Sequence, residues 1–207
     1  MFLVLIVVLG YFLAGLVAVI VLARSLARRE ISLVWKIGAP LGLAFVVWAI
    51  PYGDHMVGKF KFQKLCEVEA GLRIYKVANG VKGFRSSFAA KSTPRDLGYQ
   101  YVERINSNGS VDRYSVQSDG KVVEEKSVTP VSRYEFSIVQ SKLETQISRK
   151  SEAVVDLLNQ EKLAEYIEYG HAGGWLYRQL AGMHAYRNIC PAGGMSPALI
   201  IQSVLKP

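Results

Sequence analysis

The sequence predicts a membrane-anchored α+β protein, with two N-terminal transmembrane helices followed by one soluble domain built on an antiparallel β-meander and a few short helices. Three observations predict it. Apolar residues gather in the first fifty positions, so that mean hydropathy is positive although 20% of residues are charged. The pairs Asn108-Gly109 and Asp119-Gly120 each interrupt a strand-like run, as hairpin turns do. A chain of 207 residues, less the apolar segment, leaves length for one globular domain and not for two.

The first span is read from Phe2 to Ala23, where 22 consecutive residues carry no charge. At 1.5 Å per residue such a helix crosses a hydrocarbon core of about 30 Å. A cleavable signal peptide is not expected, because nothing basic precedes Phe2 and the flank that follows reads RSLARR. The second span is read over Ile37 to Gly53, 17 uncharged residues, extended upstream through Ile31 to Trp35 if Lys36 snorkels to the headgroups. Trp35 and Trp48 suit its two interfaces, Pro40 falls where it kinks the helix or marks its first turns, and Pro51 is expected to close it. The chain thus divides into a helical hairpin over 1–53, with spans near 2–23 and 32–50, and a soluble domain over 54–207.

Basic residues orient the hairpin. Arg24, Arg28 and Arg29 lie in its connection and Lys36 lies close by, which places the connection in the cytoplasm and both termini on the other side, the periplasmic side of a bacterial inner membrane. Lys59, Lys61 and Lys64, just beyond the second span, weaken that asymmetry. Small residues recur at Gly10, Ala14 and Ala18 and at Gly38 and Gly42, spacings that let helices approach closely, on each other or on a membrane partner. The other reading is that Gly and Ala are common in membrane helices. The domain's two cysteines, Cys66 and Cys190, are expected to pair in an oxidising compartment and tie the ends of the domain together; two buried thiols are the alternative.

Beyond Pro51, MVGKFKFQKLCEVEAG reads as a helix stopped at Gly71, with Phe60, Phe62 and Leu65 interleaving with Lys59, Lys61 and Lys64 as at a membrane interface or over an ordinary core. Leu72, Ile74 and Tyr75 predict a strand and Asn79-Gly80 a turn, while Arg85 to Gly98 reads as an irregular loop. Two-residue turns at Asn108-Gly109 and Asp119-Gly120 make a three-stranded meander over Tyr99 to Val128. That register puts Tyr99, Tyr101, Ile105, Tyr114, Val116 and Val123 on one face, and Gln100, Arg104, Asn106, Arg113, Glu124 and Lys126 on the other. A fourth strand follows in RYEFSIVQ, with Tyr134, Phe136 and Ile138 on one face. The stretch from Ser148 to Gly170 fits either a helix or two strands around Asn159-Gln160-Glu161, and the β-formers Val154-Val155 and Tyr166-Ile167 favour the hairpin. Ser196 and Pro197 open a short closing helix as N-cap and first helical residue.

Chemistry is sparse. No glycine-rich phosphate loop or zinc spacing occurs, and His55, His171 and His184 lie far apart, so no metal and no cofactor are expected. Asp54 beside His55 could form a pH-responsive or catalytic pair, but helix capping by Asp54 explains it more simply. Glu165 and Glu168 could be proposed as the paired carboxylates of a hydrolase, but hairpin or helix geometry alone explains them. Trp175, Tyr177, Arg178, Tyr186 and Arg187 are of the types that dominate binding hot spots, although aromatics at such spacing are more often core. The Asn108-Gly109-Ser110 sequon is explained by turn chemistry. The net charge of +8 is spread along the chain rather than clustered, which argues for an anionic lipid surface and against nucleic acid. The expectation is a non-enzymatic, membrane-tethered envelope protein that contacts lipid and binds or helps assemble a protein partner or a second copy of itself. The alternative is an envelope hydrolase or an inhibitor of one.

Overall fold

The computed structural model describes residues 2–174 and 188–207. The chain is an α+β fold of two compact units. One comprises residues 1–64, 144–147 and 170–188, and the other residues 65–143, 148–169 and 189–207.

The first unit is mostly helical. Helix α1 covers Phe2–Ala27 and helix α2 covers Leu33–Val68, the latter running through positions 40 and 51 without ending at either proline. Among the described residues one helix, not two, is long and apolar enough to cross a membrane: α1, over Val8–Ala27. Among the described residues the corresponding apolar part of α2 is the shorter stretch Leu33–Val47. The expected second span is corrected accordingly: α2 neither closes at Pro51 nor stays apolar, but continues into Asp54, His55 and the lysine-rich turns. The two helices touch where the Tyr11 hydroxyl donates to the Val47 carbonyl at 3.0 Å and where Gly15 lies against the Val47 side chain.

In the second unit, nine described strands build one mixed sheet. They are β1 Gly71–Ile74, β2 Gly83–Ser86, β3 Tyr101–Ile105, β4 Val111–Val116, β5 Val122–Glu125, β6 Tyr134–Lys142, β7 Ile147–Asp156, β8 Glu161–His171 and β9 Asn188–Cys190. Their order is β1-β8-β7-β6-β2-β3-β4-β5, with β9 also on β8. The segment from Ser148 to Gly170 is therefore a pair of strands, and β6 pairs antiparallel with β7 from Tyr134↔Asp156 to Lys142↔Ser148. The long β6, β7 and β8 are ordinary amphipathic strands, half-buried by alternation or covered on both faces.

The departure from a purely antiparallel sheet is β2, which runs parallel to both β3 and β6. A parallel pair needs a crossover of a dozen or so residues, and here it is Ser87 to Gln100, holding the short helix α3 Thr93–Leu97 and overlapping most of the Arg85 to Gly98 stretch read from the sequence as an irregular loop, whose first two residues belong to β2. Gly83 fits this central strand because its backbone lies directly against the Tyr101 carbonyl and ring, where a side chain has no room.

The meander of β3, β4 and β5 is present, but its register differs from the two-residue reading. Asn106 and Ser110 bracket a three-residue loop, with Asn106 N donating to Ser110 O at 2.9 Å, and Gln117 and Lys121 do the same at 2.8 Å. Gly109 and Gly120 take the left-handed position of each loop, at φ +83° and +79°. One extra residue per loop flips parity. Tyr101 now pairs with Ser115 and Val102 with Tyr114, so Tyr114 and Val116 leave the face of Tyr101, Ile105 and Val123, and Arg113 joins it.

The core lies on one face of the sheet. Phe84, Tyr99, Val102, Phe136, Val154, Ala164 and Tyr166 pack beneath Ile200, Ile201 and Val204 of the closing helix α4 Pro197–Val204. Ser196 caps that helix by accepting from the Leu199 amide, and Pro197 occupies the first turn. The C-terminus is then bound back to the domain: Val81 N donates to Lys206 O at 2.9 Å and the Tyr99 hydroxyl donates to Leu205 O at 2.6 Å.

Candidate functional site

Within the helical unit, three segments distant in sequence converge. Helix α2 supplies Asp54, His55, Gly58 and Phe62, the tip between β6 and β7 supplies Glu144 and Gln146, and the end of β8 supplies His171 and, three residues on, Gly174. His171 is fully buried, with the His55 ring 5.5 Å and the Phe62 ring 5.6 Å from its own, centroid to centroid. The Gln146 amide donates to an Asp54 carboxylate oxygen, and Ala172 N donates to Gln146 O at 2.9 Å. His55 Nδ1 accepts the Gly174 amide at 3.2 Å. Two glycines permit this packing. A Cβ on Gly58 would collide with the Gln146 amide and stand 2.9 Å from His171 Nε2, and a Cβ on Gly174 would stand 2.8 Å from His55 Cβ. Lys61 closes the rim on Glu144 at 2.7 Å.

The sequence reading identified Asp54 and His55 as neighbours and kept His171 apart, because 116 residues of chain separate the two histidines. The fold brings them together. Among the described residues no group of three or more His, Cys, Asp or Glu could hold a metal ion.

The sheet unit spends its buried charges on holding loops. Glu103 is fully buried and accepts from the Arg113 guanidinium at 2.7 Å, the Val131 amide at 3.0 Å and the Ser132 amide at 3.0 Å. Burial pushes its carboxyl up, but the hydrogen bonds of Ser132, Arg113 and the Val131 amide outweigh burial and hold it below the usual range. Asp112 is gripped by Asn106, Arg104 and the Ser127 amide, which hold its carboxyl down to about 2. Arg133 forks onto Asp156, with contacts from 2.6 to 3.0 Å. Glu152, fully buried beside the core, meets Lys150 Nζ at 2.5 Å. Burial, with Glu168 and Glu152 nearby, pushes the Tyr166 phenol up.

Glu165 and Glu168 do not face one another. Residues three apart on β8 point to opposite sides of the sheet. Glu165 accepts from Ser151 at 2.8 Å and meets Lys162 at 3.0 Å, while Glu168 lies on the Tyr166 side, near Gly194. An open cleft of about 560 Å³ is lined by Lys91, Arg95 and Lys121, but Lys121 is paired with Asp119 at 3.1 Å and Arg95 stands 3.8 Å from Asp96.

The remaining residues singled out by the sequence are placed as follows. Cys66 and Cys190 form a disulfide, Cα to Cα 5.9 Å, closing a separation of 124 residues. Trp35 is 66% exposed, Lys36 reaches the Ala27 carbonyl at 3.5 Å, and Lys59, Lys61 and Lys64 are exposed. The Trp48 side chain lies outside the described atoms, and Trp175, Tyr177, Arg178, Tyr186 and Arg187, with His184, lie outside the described residues. Gly10, Gly38 and Gly42 have nothing within 4 Å of a would-be Cβ, and Ala14 and Ala18 are exposed. The residues of α1 that meet α2 are Tyr11 and Gly15, on a neighbouring face. The sequon's turn role is evident, since Asn108 Oδ1 accepts from the Ser110 amide at 3.0 Å and its hydroxyl at 2.8 Å. Comparison with known proteins found no matching family model, no matching curated protein and no matching solved structure.

Proposed function

We propose that this chain is a non-enzymatic, membrane-tethered envelope protein whose sheet domain stands outside the cytoplasm and binds or helps assemble a partner complex. The observation that carries the reading is the Cys66–Cys190 disulfide. It fastens the C-terminal strand to the end of the helix that leaves the apolar region, and disulfides persist in oxidising compartments.

Other features support the same reading. Helix α2 turns back along α1, so that Val47 stands beside Tyr11, near the start of the apolar stretch Val8–Ala27. The arginine-bearing connection at Arg28 and Arg29 is then at one end of the helices, and the chain emerging after Val47 is at the other. Arginines retained at the cytoplasmic face direct that emerging chain toward the opposite face. Exposed Lys59, Lys64 and Phe60 suit contact with headgroups as the chain leaves the membrane. Each described buried carboxylate of the sheet is committed to an ion pair or to loop amides, and Glu165 and Glu168 point to opposite faces, which disfavours the hydrolase reading.

Co-purification tests it. Full-length protein solubilised in mild detergent and isolated through a C-terminal tag is expected to bring down a stoichiometric protein partner, or to run as a homo-oligomer. Recovery of the chain alone and monomeric, at native expression level and after mild cross-linking, contradicts the proposal.

A further inference from the structure

The His55 hydrogen bond carries an inference that holds whichever partner the domain engages. His55 Nδ1 accepts the Gly174 amide at 3.2 Å, so the imidazole sits there as the tautomer with its proton on Nε2. An imidazolium donates from both nitrogens and accepts at neither. Protonating His55 therefore sets a donor against the Gly174 N–H and removes this bond. The backbone of Gly174 lies so close to His55 that a Cβ there would stand 2.9 Å from the His55 amide nitrogen, so the two segments have no slack in which to rearrange while in contact. The new charge would also arise 5.5 Å from the ring of the fully buried His171.

We propose that His55 is a proton-operated latch: neutral, it holds Gly174 against helix α2; protonated, it lets Gly174 go. The geometry makes the proton itself the signal the latch answers. Among the described residues, the charged or titratable groups around it are Asp54, Lys59 and Lys61 on α2, Glu144 on the β6–β7 tip and His171 on β8. Asp54 favours a proton on the cluster, although its carboxylate is engaged by Gln146, and Lys61 is neutralised by Glu144. The lysines and a second imidazolium oppose it.

Hydrogen exchange at the Gly174 amide tests the latch. It is measured on the full chain in mild detergent by mass spectrometry with fragmentation to single residues, and corrected for the intrinsic pH dependence of exchange. The protection factor at Gly174 is expected to fall at least tenfold between pH 7.5 and pH 5.0, while the amide of Tyr166 in the core keeps its protection. In His55→Asn the side-chain carbonyl accepts in place of Nδ1 and does not titrate, so protection at Gly174 is expected to persist at pH 5.0. His55→Ala is expected to lose it at both pH values. Wild-type protection at Gly174 that is the same at both pH values overturns the proposal. So does a parallel fall in wild type and His55→Asn, which assigns the response to His171, and so does a simultaneous loss at Tyr166, which makes it unfolding.

Discussion

Glu103 is the residue on which the connection between β5 and β6 depends. Its carboxylate, with no exposed surface, gathers the Arg113 guanidinium and the amides of Val131 and Ser132, and so anchors the chain between β5 and β6. Removing one partner of a buried pair costs about 3–5 kcal/mol, and Glu103→Ala is expected to lose stability of that order in urea unfolding at pH 7, with Glu124→Ala, exposed on the neighbouring strand, near neutral. The pH dependence has a definite sign. Glu103 and Asp112 both have folded pKa values below their unfolded values, Asp112 at about 2. Their contribution is complete above the ordinary carboxylate pKa of about 4 and is lost as pH falls toward the folded values. Wild-type stability is expected to drop between pH 4 and pH 2, and Asp112→Asn to start lower and fall less steeply over that window; equal slopes in the two proteins would refute the assignment. None of these partnerships was visible in the sequence, because Glu103 finds its amides 28 and 29 residues away, through a loop with no regular pattern.

At the scale of elements, strands were legible where alternation ran for six or more residues, as in β6, and so was the closing helix, whose Ser196-Pro197 start is local chemistry. Turn positions were legible too, but turn lengths were not. Asn-Gly and Asp-Gly mark either a two-residue turn or the last two positions of a three-residue loop, and the choice decides which face every side chain of β4 occupies. Strand β2 escaped notice for a different reason: in GFRS only Phe84 is a large apolar residue, and the strand's burial comes from neighbours on both sides. The disulfide was readable from cysteine count and compartment. It joins the end of α2 to β9, and closing a loop of 124 residues stabilises by about 4–5 kcal/mol in the chain-entropy model. The Cys66→Ser, Cys190→Ser double variant, and the wild type under reductant, are each expected to melt well below the oxidised protein in detergent; coincident melting curves would mean the bridge contributes nothing.

For the molecule as a whole, the apolar N-terminus was legible as a helix long and apolar enough to span a membrane, while the number of such helices was not, because helix α2 runs without a break from an apolar segment into a charged one. The convergence of His55 with His171 was likewise invisible: it depends on where β8 ends relative to α2, which no local pattern encodes. The central claim is that a disulfide-closed sheet domain stands outside the cytoplasm on a membrane anchor. The most direct measurement is labelling of Cys66 and Cys190 in intact cells with a membrane-impermeant thiol reagent, before and after treatment with an impermeant reductant. The account predicts no labelling before reduction and labelling of both cysteines after it. Labelling without reduction, or labelling that appears only once the cells are lysed, would contradict it.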